Sequence, residues 1–126
     1  MQKYYIFILV FFINTIAFSD SEVLLNKLIN TNECIECDFS NIELKGAKFL
    51  RANLSQSDFT KTNLTKSTLQ GANLSGVNFT ETVLIVGQLQ AANLNNTNFK
   101  KARVTASNLS GASLIKAKLN NADFRG

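Results

Sequence analysis

Two twenty-residue segments decide the fold: RANLSQSDFTKTNLTKSTLQ (51–70) and GANLSGVNFTETVLIVGQLQ (71–90) abut without a gap and agree at ten of twenty positions. The next segment, AANLNNTNFKKARVTASNLS (91–110), keeps the Ala-Asn-Leu opening and the Phe. Inside each segment a large apolar residue recurs every fifth position. Extended both ways, the series runs Phe39, Leu44, Phe49, Leu54, Phe59, Leu64 and onward to Phe124, eighteen centres that are all Leu, Phe or Val. Two residues before each centre stands a second, mostly small residue: Ala at 47, 52, 72, 92, 102, 112, 117 and 122, and Ser or Thr at 57, 62, 67, 82, 97 and 107. Only Ile42 and Val77 are bulky there.

A period of five fits neither regular element. On a helix, five residues advance the face by about 140°, so the large residues would wind around it. On a flat strand an odd period sends alternate centres to opposite faces. The pattern requires a chain that turns a corner every five residues and points one large and one small side chain inward each time. Phe39, Phe59, Phe79 and Phe99 recur at intervals of twenty and give the coil length: four fives per turn, with this Phe column in the core. Equivalent residues then stack at ~4.8 Å, the spacing of neighbouring strands.

The motifs Ala52-Asn53-Leu54-Ser55, Gly71-Ala72-Asn73-Leu74-Ser75 and Asn121-Ala122-Asp123-Phe124 resemble the A(D/N)LxX signature of pentapeptide-repeat proteins, over residues 37–126. The resemblance implies an all-β fold, a right-handed quadrilateral β-helix. It is loosest over Thr82–Leu89, where outward positions lose their polarity.

The amino-terminal end reads differently. Lys3, the apolar run Tyr4–Ile13 and the small-x-small triplet Ala17-Phe18-Ser19 have the form of an export signal cleaved before Asp20. The apolar run is short for a permanent span of a ~30 Å hydrocarbon layer. The domain reading is therefore 1–19 signal, 20–36 capping helix and Cys-x-x-Cys junction, and 37–126 solenoid. An uncleaved signal would instead anchor the chain to a membrane or envelope. Residues 21–32, SEVLLNKLINTN, predict a short amphipathic helix with Ser21 as N-cap and Leu24, Leu25, Leu28 and Ile29 as its apolar stripe, covering the open first coil.

Cys34 and Cys37 precede the first full repeat. Two thiols in a chain without His cannot complete a four-ligand zinc site. A redox role needs a helix start in a βαβ setting. In an oxidising compartment a disulfide stapling cap to coil is the leading reading, with two packed thiols as the alternative. Similar junctions at the start of pentapeptide-repeat proteins favour the structural view.

Twenty-residue stacking makes the surface readable as columns. Asn53, Asn73 and Asn93 form an amide ladder; Lys61, Glu81 and Lys101 alternate in charge; Asp38, Asp58, Asn78, Asn98 and Lys118 make a third column. Each reads as a solvated face. The exception is Val83, Ile85 and Val86, apolar where the coil below has Asn63, Thr65 and Lys66. They are either β-formers on a small patch or a docking spot for a protein partner. A second candidate surface is the coil ending at Phe124, where end-to-end homodimerisation would cover core side chains.

No His, metal cluster or Gly-rich phosphate loop is present, so neither enzyme, metal nor cofactor is expected. Net charge is +4, or +3 without the signal, and 17% of residues are charged. That mild excess need not mean a nucleic-acid partner, and none is expected. It argues against DNA mimicry of the gyrase-protecting kind, which needs a strongly acidic cytoplasmic surface. The function expected is a non-catalytic, exported (periplasmic or secreted) structural or protein-interaction module.

Overall fold

The computed structural model describes residues 19–126; the export-signal assignment lies outside the described residues except for Ser19. Among the described residues one helix, α1 (Asp20–Thr31), leads into a coil that repeats every twenty residues. Parallel pairing joins each residue of four ladders to the one twenty positions on, as in Glu33 to Asn53, Asp38 to Asp58, Glu43 to Asn63 and Lys48 to Thr68. Four ladders make four sides. Each pairing is a single residue deep, so no continuous strand forms: the corner recurs before a second residue can pair.

The hydrogen bonds explain the five-residue period. Phe79 N–H donates to Asn98 O in the coil above at 2.7 Å, and Asn98 N–H returns to Val77 O at 3.0 Å. The third contact closes the corner within a coil, as from Ala52 N–H to Phe49 O at 3.1 Å. Every corner then requires one residue in the left-handed region. From Glu36 through Asn121 every fifth residue has φ between 54° and 71°. Most of these corners are not glycine, and each such residue costs about 1–2 kcal/mol in isolation; the two coil-to-coil bonds flanking it offset that cost.

The interior is filled by the side chains expected there. Phe39, Phe59, Phe79 and Phe99 are fully buried and their rings stack with centroids 5.0, 5.7 and 4.9 Å apart. Each contributes roughly 1.5–3 kcal/mol by burial. Phe124 belongs to the neighbouring column, yet its ring turns edge-on to Phe99 at 5.4 Å. Leu119, the column successor of Phe99, is 46% exposed.

Two features differ from the sequence expectations. The N-cap of α1 is Ser19, not Ser21. Ser19 accepts from Glu22 N–H at 3.4 Å while Glu22 Oε2 accepts from Ser19 N–H at 3.2 Å, a reciprocal box that Ser21 is too close to Glu22 to form. Ser21 instead shares a hydroxyl contact with Ser19 at 2.8 Å. The coil also begins one corner earlier than residue 37: Glu33 already pairs with Asn53, and Asn32, the left-handed C-cap of α1, accepts from Asn53 N–H through its carbonyl. Leu28 is buried in the core, with Leu24 and Leu25 packed against it, so α1 covers the first coil.

Candidate functional site

Ile85 and Val86 lie in the corner Leu84–Gly87, and Val83 is on the ladder just before it. Val83 and Ile85 are half-buried on the outer face, as are Asn63 and Thr65 beneath them. Ordinary strand-forming preference accounts for both. Val86 is different: it is 47% exposed and sits at the corner with φ 57°. Its column holds Gly46, Lys66 and Ala106, and no other non-glycine corner residue of the described chain is β-branched. A branched side chain is the worst choice for a left-handed backbone.

The corner beneath it is held unusually. Gly87 N–H does not reach Leu84 O; it donates to the Ser107 hydroxyl at 2.8 Å, and that hydroxyl donates to Leu84 O. A hydroxyl from the next coil thus stands in for the missing turn bond. Gly87 is needed here because a β-carbon would collide with the Leu84 side chain and crowd the Ser107 hydroxyl. Sequence reading placed Ser107 among the inward small residues but gave no sign of this bridge.

The same device recurs at the first corner. Cys37 N–H donates to the Ser57 hydroxyl at 3.1 Å, and Ser57 donates to Cys34 O at 2.8 Å. Cys34 and Cys37 are joined there as a disulfide, with Cα atoms 5.6 Å apart. Both residues are buried. The bond spans one corner of the first coil, and its tie to the cap is the approach of Cys34 to the Leu24 carbonyl.

The polar columns are consumed by folding. Asn73 donates to Asn53 at 3.2 Å and Asn93 to Asn73 at 3.3 Å, while each Oδ1 accepts from the backbone two residues on. Glu81 lies 4.0 Å from Lys61 and 3.9 Å from Lys101. Asp123 is held to about 2 by the side-chain hydrogen bonds of Arg125, with the Arg125 backbone N–H and nearby positive charge acting the same way. Among the described residues no three His, Cys, Asp or Glu side chains are placed to hold a metal ion, and no helix is long and apolar enough to cross a membrane.

The model of the family described as pentapeptide repeats matches residues 37–76, 63–85 and 88–126, in eight copies. No curated protein matches the chain. Among solved structures, a pentapeptide repeat protein from the Arabidopsis thaliana thylakoid lumen is 20% identical, the match covering 87% of this chain and 72% of that one with a TM-score of 0.73. A pentapeptide repeat protein (Rfr23) from the cyanobacterium Cyanothece 51142 is 21% identical over 82% of this chain and 99% of that one, with a TM-score of 0.57. At these identities the likeness shows the solenoid fold.

Proposed function

The chain belongs to the pentapeptide-repeat family, and from that premise we propose that it is a non-catalytic protein-interaction module working outside the cytoplasm. The observation that carries the interaction reading is Val86. Folding explains the inward columns, the amide ladder and the alternating charges. It does not explain an exposed valine at a left-handed corner where lysine, alanine or glycine serves elsewhere in the column. Strain only partly offset by packing points to a use for the side chain, and Val83 and Ile85 extend the same apolar spot. Export is supported by the signal-like first nineteen residues and by the disulfide at the first corner, which an oxidising compartment would preserve.

Two experiments test the halves separately. Val86→Asp and Ile85→Asp should fold normally and lose the partner that co-purifies with the unaltered chain from its native fraction; full retention of every partner ends the docking reading. The intact mass from that fraction should correspond to a chain starting at Asp20 and about 2 Da light for the two lost thiol hydrogens. A mass starting at Met1 would replace the exported module with an anchored one.

A further inference from the structure

Charge is distributed unevenly along the solenoid axis. Residues 20–43 carry Asp20, Glu22, Glu33, Glu36, Asp38 and Glu43 against Lys27 alone, whereas residues 99–126 carry Lys100, Lys101, Arg103, Lys116, Lys118 and Arg125 against Asp123 alone. The asymmetry is concentrated on one corner. In the first coil that corner reads Ile35-Glu36-Cys37-Asp38; four coils later it reads Ile115-Lys116-Ala117-Lys118. The ladder Asp38, Asp58, Asn78, Asn98, Lys118 places the two ends on one line. Ile35, Glu36, Asp38, Ile115, Lys116 and Lys118 are all exposed, the isoleucines at 42% and 64%.

Four coils separate these clusters by about 19 Å. The Debye length at physiological salt is ≈ 8 Å, so they do not neutralise one another within a chain. Among the described residues Glu36, Asp38, Lys116 and Lys118 have no ion-pair partner. Between the clusters the corner carries one charge, Asp58, which the antiparallel arrangement would set against Asn98 one coil from Lys118; the midpoint, Ser75-Gly76-Val77-Asn78, is neutral and small, with the Val77 side chain buried.

We infer that this corner is a self-complementary surface whose occupant is a second copy of the chain, lying alongside and antiparallel. A two-fold axis at the level of Gly76, perpendicular to the solenoid axis, brings each column against itself with the order of coils reversed. Glu36 then meets Lys116, Asp38 meets Lys118 and Ile35 meets Ile115, each twice. At the centre Ser75, Gly76 and Asn78 face their own copies and present nothing bulky. The Lys61, Glu81 and Lys101 column lies on the next corner and satisfies its own charges. An end-to-end dimer through the last coil would instead bring two strongly basic ends together, which the charge opposes. The strip is about 24 Å long and one corner wide, short of the ≈ 800 Å² per partner of a standard interface. The dimer is therefore weak and salt-sensitive. This inference stands independently of the Val86 docking spot, which lies on another face.

The test is sedimentation of the full chain over a range of concentrations, with charge reversals at positions whose columns already hold both signs. The unaltered chain should dimerise at high concentration and dissociate as salt rises to about 1 M, where the Debye length is near 3 Å. Glu36→Lys with Asp38→Lys makes both ends of the corner basic, and Lys116→Glu with Lys118→Glu makes both ends acidic. Each pair of substitutions should weaken self-association at least about tenfold. An equimolar mixture of the two variants should associate, and one chain carrying all four reversals should dimerise like the original. Dimerisation unaffected by either single set overturns the inference, as does dissociation by Leu119→Asp, which would place the contact at the coil end. A chain that stays monomeric and binds phosphatidylglycerol vesicles through Lys116 and Lys118 overturns it in favour of an anionic surface.

Discussion

Replacing Val86 by asparagine should make the protein more stable, although it removes an apolar side chain. The corner backbone at φ 57° costs an L-residue about 1–2 kcal/mol, with branched side chains at the upper end and asparagine well below it. Asn32, Asn41, Asn96 and Asn121 already hold this conformation in the same chain. Against the relief stands lost burial. Full burial of a valine contributes at least about 1.5 kcal/mol, and Val86 is 47% exposed, so roughly 0.8 kcal/mol is at risk. The balance is a gain of about 0.5–1 kcal/mol, worth some 2–8 °C in Tm for a domain of this size. Val86→Thr is the control, since threonine keeps the branch and the strain. Thermal unfolding followed by circular dichroism should rank asparagine above valine, and threonine no higher than valine. An asparagine variant that melts at or below the parent would refute the strain argument. The Val86 reading under the proposed function would then lose its basis.

Three further outcomes concern the core, the cap and the last coil. Phe79→Ala, between Phe59 and Phe99 in the ring column, should cost about 3–5 kcal/mol in denaturant unfolding, and an unchanged midpoint would count against a stacked core. In a chain that keeps residues 1–19, Ser19→Ala should cost about 1 kcal/mol and speed amide exchange in the first turn of α1 while leaving the coils protected; uniform protection would show that the capping box contributes nothing. The Asp123 carboxyl, followed by NMR, should titrate near 2 and move back toward the ordinary 3.8 in Arg125→Ala. Because its folded value is depressed, this pair stabilises the chain above pH 3.8 and loses that effect as pH falls toward 2.

The core was legible because its signal is redundant. Eighteen centres obey one spacing, and Phe39, Phe59, Phe79 and Phe99, at intervals of twenty, supply the coil length. Burial of Phe59, Leu64, Leu69 and Leu74 follows directly from that spacing. The corners were not legible, since the left-handed position is filled by Glu36, Arg51, Gln56 and Lys61 as well as glycine. There the coil-to-coil hydrogen bonds override local preference, so composition carries no mark of it. Ser19 was missed for a different reason: Ser19-Asp20-Ser21-Glu22 satisfies the capping box, but the same serine also ends a small-x-small triplet. Cleavage before Asp20 would remove the cap, so the two readings compete for one residue. The Ser57 and Ser107 bridges depend on contact between residues twenty or more apart, and the four-coil complementarity of Ile35–Asp38 with Ile115–Lys118 appears only once the columns are laid side by side.

The twenty-residue, four-sided coil is tested most directly by NMR couplings transmitted through backbone hydrogen bonds. The Phe79 amide should couple to the Asn98 carbonyl, and the Asn98 amide to the Val77 carbonyl. Coupling of these amides to partners at any other offset would contradict the coil, and with it the columns on which every surface assignment rests.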